Sequence, residues 1–287
     1  MNFKTRCLTI NLIFIFVFIL PLKANSETVL EQIDRTGLLR VGIREDAVPF
    51  GYRDVNGDLV GLCLDFINFF REELKEKLNK EVIAIKLYKS TLFNRFNLVS
   101  DKIVDIECGP NTIRQIADYN VEFSAPFFLT GTQFLIKGDN QTKFDPNSSL
   151  ENVNIGLLRN TTNQTLIMQN YPLANIVEFQ GVTGRYRGIQ SLQGDKIQAF
   201  ASDGILLVGE AILQGLDLGQ DYILVPKFPL DCENYGLILP NNDPEWLAFV
   251  NAVIKNNKSK ESFYKWFGVV LPRIEEIESF CRSQGQS

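Results

Sequence analysis

The chain has 287 residues, enough for one large domain or two of medium size, and its hydrophobic fraction of 45% is that of a folded soluble protein. Its net charge of -5 argues against a nucleic-acid partner. The sequence contains no histidine, which removes histidine-based serine and cysteine triads and most zinc sites. We therefore expect no metal and no cofactor.

The N-terminus has the order of a secretory signal peptide. Lys4 and Arg6 precede the apolar run LTINLIFIFVFILPL, and Ala24 and Ser26 supply small residues at the cleavage positions. A permanent membrane anchor is the alternative, although the run is slightly short for a span. We predict that residues 1–26 form the signal peptide and that the mature chain is exported.

Four cysteines remain in the mature chain, and in an exported protein four cysteines allow three pairings. We favour a bond between Cys63 and Cys108 and a second bond between Cys232 and Cys281. Buried free thiols are the alternative.

The first half of the mature sequence alternates strands and helices. The expected strands are LLRVGI, EVIAIKLY and KIVDIEC, the expected helices are LCLDFINFFREELKEKLN and TLFNRFNLVSD, and FGYRDVNGDLVG is a hairpin that turns at Asn56 and Gly57. The first helix has an apolar stripe that includes Ile67, Phe70 and Leu74. This alternation predicts an α/β domain with a largely parallel sheet.

A second unit of the same kind follows the polar stretch KGDNQTKFDPNSSLEN. Its expected strands are VNIGLL, ANIVEF, IQAFAS and YILVPK, and its expected helices are TNQTLIMQNY, GRYRGIQSLQ and GILLVGEAILQG. PEWLAFVNAVIKNN and KESFYKWFG are predicted to be two further helices. The sequence therefore predicts two similar α/β lobes with helices appended at the end.

Ligands of parallel α/β sheets bind beyond the carboxyl ends of the strands. The residues at these positions are Arg44, residues 92–95 and the segments ECGPNTIR, RNTTN and SDG. They are rich in arginine and small hydroxyl residues, and they contain no base–nucleophile pair. Arginine and backbone N–H groups bind a carboxylate, and aspartate binds an ammonium, so this set suits a small zwitterion.

Several motifs, in this order and spacing, resemble those of the periplasmic amino-acid-binding proteins of ABC importers. The motifs are LRVGIREDAVPFGYRDVNGDLVGLCLDF, VEFSAPFF, GLLRNTTNQTL, SLQGDKIQAFASDGILL and ENYGLILPNNDPEW, and the resemblance runs from about residue 29 to residue 268. Within that family, GIRED, FNRF and DIECG are most similar to the glutamate/aspartate binders. The resemblance implies the type II periplasmic-binding-protein fold, in which each of two lobes is a mostly parallel sheet flanked by helices.

The resemblance also implies the domain organisation. Residues 27–126 and 238–287 would form lobe 1, residues 132–232 lobe 2, and residues 127–131 and 233–237 the hinge strands. A monomeric periplasmic protein would then capture an amino acid by hinge closure and deliver it to the membrane permease of an ABC importer. The chain itself would carry out no chemistry.

Positions that match the family's ligand contacts receive roles from the resemblance. Asp203 resembles the aspartate that binds the ligand's ammonium, with a helix N-cap as the alternative. Thr161 and Thr162 resemble the second-lobe pair that donates to the α-carboxylate, again with an N-cap as the alternative. Thr112 resembles the first-lobe hydroxyl that binds the same carboxylate.

The chain departs from the family at one position. The family usually has an arginine five residues after the threonine that corresponds to Thr112, and this arginine clamps the α-carboxylate. This chain has Ala117 at that position. We favour Arg114 as the replacement, with a solvated loop arginine as the alternative. We further expect Leu92 to form an apolar wall of the site. For Arg185, at the start of a second-lobe helix, we favour an exposed helix arginine, with a third positive group at the site as the alternative.

Two other arginines point to an acidic ligand. Arg44 falls where relatives that bind basic amino acids or glutamine tend to carry an aspartate, and Arg95 matches an arginine that glutamate/aspartate binders direct at the ligand. If both arginines face a closed cleft, the cleft requires an anion, because an unpaired buried charge costs roughly 3–5 kcal/mol. The alternative is a surface ion pair between Arg44 and Glu45 or Asp46.

Two other functions stay open at this point. One is a binder of neutral or basic amino acids. The other is an enzyme similar to the cyclohexadienyl dehydratases, which would need a general acid or base at the reacting carbon. Glu107 is the candidate for that role if burial raises its pKa, although the sequence shows no obvious partner for it.

Overall fold

The computed structural model describes residues 27–285. Residues 1–26, to which we assign the signal peptide, lie outside this range. Up to residue 130 the elements are α1 (Val29–Thr36), β1 (Leu38–Ile43), β2 (Asp46–Ala47), β3 (Gly51–Arg53), β4 (Leu59–Val60), α2 (Leu62–Lys77), β5 (Ala84–Lys89), α3 (Arg95–Ser100), β6 (Ile106–Cys108), β7 (Val121–Phe123) and β8 (Phe128–Thr130). Within residues 27–285 no helix combines the length and the apolar character that a membrane crossing requires.

The remaining elements lie between residues 132 and 283. They are β9 (Thr132–Lys137), β10 (Asn154–Leu158), α4 (Thr162–Asn170), β11 (Asn175–Phe179), α5 (Gly184–Gln193), β12 (Ala199–Asp203), α6 (Gly204–Leu213), β13 (Tyr222–Val225), β14 (Glu233–Tyr235), β15 (Ile238–Pro240), α7 (Pro244–Ile254), α8 (Asn257–Phe267) and α9 (Leu271–Ser283).

Five strands form the sheet of the first lobe in the order β5-β1-β6-β15-β7. β1 runs parallel to β5 and β6, and its register pairs Ile43 with both Lys89 and Cys108. The three parallel strands therefore end at one edge of the sheet. Arg44 and Gly109, which directly follow two of these strands, meet at that edge.

The core of the first lobe lies between this sheet and α2. The predicted stripe of Ile67, Phe70 and Leu74 is buried, and so are Leu39 and Val41 on one face of β1. A helix with apolar residues three and four positions apart can bury that face only against another element, here the sheet. This packing fixes the end of β1, and therefore the position of the residue that follows it.

The second lobe repeats this arrangement with the strand order β11-β10-β12-β9-β13. β10 runs parallel to β11 and β12, and the register pairs Leu158 with Phe179 at the ends of β10 and β11. β12 ends at Asp203. The segment after β10 and the carboxylate of Asp203 are thus placed at one edge of the second sheet.

Each sheet consists of four strands that run in one direction and one strand, β15 or β9, that runs antiparallel to both of its neighbours. β15 runs antiparallel to β6 and β7, and β9 runs antiparallel to β12 and β13. The chain crosses from one lobe to the other at two places, which are flanked by β7 and β9 and by β13 and β15. The crossings therefore explain why the sheets are less parallel than the βαβ alternation alone predicts.

The two crossings lie side by side. β8 and β14 pair in antiparallel fashion, with Thr130 opposite Glu233 and Phe128 opposite Tyr235. This two-stranded ribbon lies where we expect the hinge. The domain boundaries themselves stay a prediction.

Both favoured disulfides are confirmed, and the second involves a helix that the sequence analysis did not predict. Cys63 of α2 is bonded to Cys108 of β6, and Cys232 is bonded to Cys281 of α9. α9 is therefore tied to the residue that directly precedes β14.

Candidate functional site

The residues that we predict as ligand contacts come together in one narrow cavity between the lobes. Its lining comprises Arg44, Leu92, Arg95, Thr112, Arg114, Thr161, Thr162 and Asp203, together with Pro110, Asn163, Arg185 and Leu206. The structure thus brings all eight predicted residues together. Their role as ligand contacts stays a prediction.

Direct contacts between the lobes close this cavity. Arg95 Nη2 of the first lobe donates to the backbone oxygen of Asn160 at 3.3 Å. Arg185 Nη1 of the second lobe donates to the backbone oxygen of Asp46 at 2.6 Å. The two sheet edges that carry the predicted residues therefore face each other at hydrogen-bonding distance.

Arg44 extends from the end of β1 into the cavity and is only 1% exposed. Its Nε donates to Asp46 Oδ1 at 2.8 Å. Nη2 lies 2.8 Å from the same oxygen, but neither Nη1 nor Nη2 forms a hydrogen bond with any of residues 27–285. Gly109 makes room for this side chain, because a Cβ there would lie 2.5 Å from Arg44 Cγ. The surface ion pair that we considered is therefore a buried pair that leaves guanidinium nitrogens for another acceptor.

Arg95 begins α3 and is 3% exposed. Its Nη1 donates to Asn111 Oδ1 at 3.3 Å, and its Nε has no hydrogen-bond partner among the described residues. Burial, followed by repulsion from Arg44, lowers the pKa of Arg95 to about 9. An added negative charge beside Arg95 would favour its charged form.

Arg185 is where the sequence analysis was wrong. We expected an exposed helix arginine, but the side chain is 4% exposed and lines the cavity. It lies in the first turn of α5, at the sheet edge where the lobes meet, and therefore reaches Asp46 of the other lobe. Its Nε has no hydrogen-bond partner within the described part of the chain. We refer to Arg44, Arg95 and Arg185 together as the arginine cluster.

Asp203 lies between β12 and α6 and is 5% exposed. It occupies the N-cap position of α6, but its side chain forms no capping hydrogen bond. It accepts hydrogen bonds from the Tyr235 hydroxyl at 2.6 Å and from Asn163 Nδ2 at 3.1 Å. Asp203 is therefore the N-cap residue of α6 by position, as the alternative has it, but its side chain does not cap the helix. The carboxylate is held in the cavity lining by two neutral donors.

The three predicted threonines have different roles in the structure. Thr161 is the N-cap of α4: its Oγ1 accepts from Gln164 N at 3.1 Å and donates to the Leu158 oxygen at 2.8 Å. The N-cap alternative is therefore confirmed for Thr161. Thr162 and Thr112 face each other from opposite lobes, with their Oγ1 atoms 3.4 Å apart.

The loop after β6 places Arg114, and not residue 117, at the cavity. Arg114 is half-buried and lines the cavity, whereas Ala117 is exposed. The guanidinium carbon of Arg114 lies 5.5 Å from the centre of the Phe96 ring. Burial lowers the pKa of Arg114, and the nearby carboxyl group of Glu233 acts in the opposite direction. Arg114 is thus not a solvated loop arginine.

Glu233 is a residue beside the cavity that the sequence analysis missed. It begins β14, the predicted hinge strand, is 7% exposed, and accepts a hydrogen bond from Thr112 Oγ1 at 2.7 Å. Burial, followed by the charges of Asp203 and Asp231, raises its pKa to about 8. Glu233 is 121 residues from Thr112 in the chain, so only the folded structure shows this contact. We refer to Asp203, Asp231 and Glu233 as the acidic cluster.

Glu107, the candidate acid of the enzyme alternative, lies outside the cavity lining. It is completely buried and accepts hydrogen bonds from Ser90 and Asn111, partners that the sequence did not reveal. Burial raises its pKa. Among residues 27–285, no group of three or more acidic or cysteine side chains could hold a metal ion.

The geometry of two lobes around a polar cavity agrees with a family match. The model of the bacterial extracellular solute-binding proteins, family 3, matches residues 39–269. The chain belongs to this family.

Relatives within the family include two proteins named for acidic amino acids. The glutamate/aspartate import solute-binding protein of Salmonella typhimurium is 29% identical over 239 residues, which cover 83% of this chain and 78% of that protein. The L-glutamate/L-aspartate-binding protein of Pseudomonas aeruginosa is 26% identical over 260 residues, which cover 88% of this chain and 84% of that protein. Other relatives are named as glutamine-binding and cystine-binding proteins. This chain is therefore a solute-binding protein similar to binders of several amino acids.

Solved structures confirm the fold class. The crystal structure of the ancestral amino acid-binding protein AncCDT-1, a precursor of cyclohexadienyl dehydratase, matches with a TM-score of 0.70 and 24% identity, covering 83% of this chain and 99% of that one. A mutant of the arginine-binding protein from T. maritima matches with the same TM-score, 22% identity and the same coverage. The predicted two-lobed α/β fold of the type II binding proteins is thereby confirmed.

Proposed function

We propose that this chain is the solute-binding protein of an amino-acid ABC importer and that its ligand is an acidic amino acid, glutamate or aspartate. The mature protein acts in the periplasm as a monomer, without a nucleic-acid partner. It captures the ligand by hinge closure, delivers it to the membrane permease, and catalyses no reaction.

The observation that carries this proposal is the shortage of acceptors in the arginine cluster. Four buried nitrogens of Arg44, Arg95 and Arg185 have no hydrogen-bond partner within residues 27–285. A buried charge without a partner costs roughly 3–5 kcal/mol, whereas each charge-assisted hydrogen bond contributes about 1.5–3 kcal/mol. A carboxylate on the ligand's side chain supplies two acceptor oxygens and one compensating charge.

The cavity offers a partner for each charged group of such a ligand. Asp203, held by neutral donors, pairs with the ammonium. Thr112 and Thr162, one from each lobe, bind the α-carboxylate, and Arg114 assists them in place of the arginine that position 117 lacks. The arginine cluster binds the side-chain carboxylate. An acidic amino acid is the common ligand whose three charges match this set.

The mechanism follows from the division of these groups between the lobes. Arg44, Arg95 and Thr112 lie on lobe 1, while Thr162 and Asp203 lie on lobe 2. A ligand bound to both sets stabilises the closed conformation, because it makes all of its contacts only there. Leu92 supplies an apolar wall, and Thr161 fixes the start of α4 beside the carboxylate. The β8–β14 ribbon supplies the hinge.

A thermal-shift panel of amino acids against the mature protein tests this proposal. Ligand at 100 times its dissociation constant should stabilise the fold by about 2.7 kcal/mol, which is a readable shift. We expect shifts with glutamate or aspartate and none with arginine or lysine. Shifts only with basic or neutral amino acids would show that the acidic specificity is wrong.

Arg95→Met sharpens this test because Arg95 forms no ion pair with a carboxylate among the described residues. The variant removes a desolvated charge that Arg44 repels, so the unliganded fold should keep or gain stability while glutamate binding is lost. Arg159→Met is the matched control: Arg159 is an exposed arginine that lies next to Asn160 and pairs with Glu178. It should leave the glutamate shift unchanged.

One observation supports a second candidate function, a dehydratase-like enzyme. Glu233 has a pKa of about 8 and lies beside the cavity, as a general acid would. Incubation of the mature protein with prephenate and arogenate separates the two functions. The importer proposal predicts no turnover of either compound, and measurable turnover that Glu233→Gln abolishes would support the enzyme instead.

A further inference from the structure

The hinge strand places a carboxyl group between the two threonines that should hold the ligand's α-carboxylate. Thr112 Oγ1 donates to Glu233 Oε2 at 2.7 Å, and Thr112 Oγ1 lies 3.4 Å from Thr162 Oγ1. The Thr162 hydroxyl also interacts with the Glu233 carboxyl group. Lobe 1, lobe 2 and the hinge therefore meet at this one carboxyl group.

The charged surroundings of Glu233 are mostly of its own sign. Asp203 faces it from the end of β12, and Asp231 faces it from the segment that precedes β14. Arg114 faces it from the loop after β6, and the Tyr235 hydroxyl, two residues along β14, is neutral at ordinary pH. Burial and the two aspartates together raise the pKa of Glu233 to about 8, so the group is protonated at neutral pH in this closed conformation.

The protonation state decides whether Glu233 helps or opposes an anionic ligand. An ionised carboxylate offers only acceptors and would repel a second carboxylate at the same threonines. A protonated carboxyl group has one O–H donor, which it can give to a carboxylate oxygen. A short O–H···O⁻ bond of this kind is among the stronger hydrogen bonds in proteins.

We propose that Glu233 is a further ligand contact, which takes up a proton as the lobes close and donates it in a hydrogen bond to the ligand's carboxylate between Thr112 and Thr162. One proton moves from solvent to the Glu233 carboxylate, and no other bond forms or breaks. Ligand capture is thus coupled to proton uptake. This inference rests on the proposed function, because it requires a ligand with a carboxylate.

The direction of the pH dependence follows from the two conformations. In the proposed coupling, Glu233 is exposed to water when the lobes are apart and titrates nearer its ordinary value of 4.5, whereas in the closed structure its pKa is about 8. Closure therefore binds a proton at any pH between these two values. Affinity is highest at the acidic end of this window and falls as the pH rises, by up to about tenfold per pH unit.

Titration calorimetry of glutamate into the mature protein tests the coupling. Binding at pH 7 is measured in two buffers with different ionisation enthalpies, and the difference gives the number of protons bound. We expect uptake of roughly 0.5–1 proton per ligand and a dissociation constant at least about tenfold weaker at pH 8 than at pH 5.5. The ammonium of glutamate titrates above this range, as does Arg95 with its pKa of about 9.

Two variants identify the group responsible. Glu233→Gln keeps an N–H donor for the carboxylate, so it should bind glutamate without proton uptake and with less than about threefold change across the pH range. Glu122→Gln is the control, because burial also raises the pKa of Glu122, which lies in β7 outside the cavity lining. That variant should keep the full pH dependence.

The outcomes separate this inference from the function on which it rests. Glutamate binding without proton uptake, or uptake that persists in Glu233→Gln, would overturn the role of Glu233 and leave the proposed function intact. If no amino acid binds at any pH from 5.5 to 8, the proposed function fails, and the inference fails with it.

Discussion

The arginine cluster lines the closed cavity, and the acidic cluster lines it with Asp203 and lies beside it with Asp231 and Glu233, but the two clusters satisfy their buried charges in different ways. The acidic cluster is hydrogen-bonded from within the protein: Tyr235 and Asn163 donate to Asp203, and Thr112 donates to Glu233. The arginine cluster instead keeps four nitrogens that form no hydrogen bond with residues 27–285, although one of them, Arg44 Nη2, lies 2.8 Å from Asp46 Oδ1. The carboxyl groups of one cluster thus have hydrogen-bond donors in the closed fold, whereas the other cluster has nitrogens without a hydrogen bond, for which our proposal takes the acceptor from the ligand.

Burial acts on both clusters, with different results. It lowers the pKa of Arg95 to about 9 and raises the pKa of Glu233 to about 8. At neutral pH Arg95 therefore keeps its charge, whereas Glu233 loses its charge by binding a proton. An arginine can be neutralised only by an anion, but a carboxylate can be neutralised by a proton. In our proposal, this difference lets the arginine cluster select the ligand and lets the acidic cluster adjust to it.

Removing the charge of Asp203 should have the largest effect on glutamate affinity. Asp203→Asn leaves the ligand's ammonium without a buried counter-charge, which should cost roughly 3–5 kcal/mol, equivalent to a loss of affinity of more than a hundredfold. Titration calorimetry with glutamate measures this loss of affinity. Asp217→Asn, an exposed aspartate of the same lobe, should bind as the unmodified protein does. Equal binding by the two variants would mean that the ammonium is not bound by Asp203.

A smaller effect is expected from the residue whose position the sequence did not reveal. Arg185→Met removes one donor of the arginine cluster and should weaken glutamate binding about tenfold, the size of one charge-assisted hydrogen bond. Arg187→Met is the matched control in the same helix, because Arg187 is exposed and donates to the backbone of Gln180. If both substitutions change the affinity by the same factor, the buried position of Arg185 does not matter for the ligand.

The smallest effect concerns the pH response. Asp231 raises the pKa of Glu233, so Asp231→Asn should lower that pKa in the closed conformation and end the decline in glutamate affinity at a lower pH. Because the ionised form of Glu233 is then repelled less, we expect affinity at pH 8 to be roughly threefold to tenfold higher than in the unmodified protein, while affinity at pH 5.5 changes little. The dissociation constant measured across pH 5.5–8 shows where the decline ends. The same decline in both proteins would show that the charge of Asp231 does not control Glu233.

Local patterns predicted most of the fold. α5 coincides with the predicted GRYRGIQSLQ, and the end of β1 lies where the pattern places it, because these elements carry their own apolar periodicity. α9 was missed although its buried residues, Ile274, Ile277 and Cys281, have the i, i+3, i+7 spacing of an amphipathic helix, because the segment lies beyond the resemblance, which ends at about residue 268. The bond from Cys281 to Cys232 is a tertiary constraint that local periodicity does not encode.

The site could be predicted as far as it depends on the ends of strands. Arg44 and Asp203 directly follow or end parallel strands, so the common rule for α/β sheets located them. Arg185 and Glu233 could not be found in this way. The burial of Arg185 depends on the approach of the other lobe, and Glu233 meets Thr112 only through the hinge ribbon.

The central claim is that the arginine cluster requires a negative charge on the ligand's side chain. Glutamate and glutamine test it most directly, because they have nearly the same shape and differ in that charge. Titration calorimetry of both ligands against the mature protein at pH 7 should show glutamate binding at least about a hundredfold more tightly, given a cost of roughly 3–5 kcal/mol for leaving buried charge unpaired. Equal affinities, or a preference for glutamine, would contradict the account.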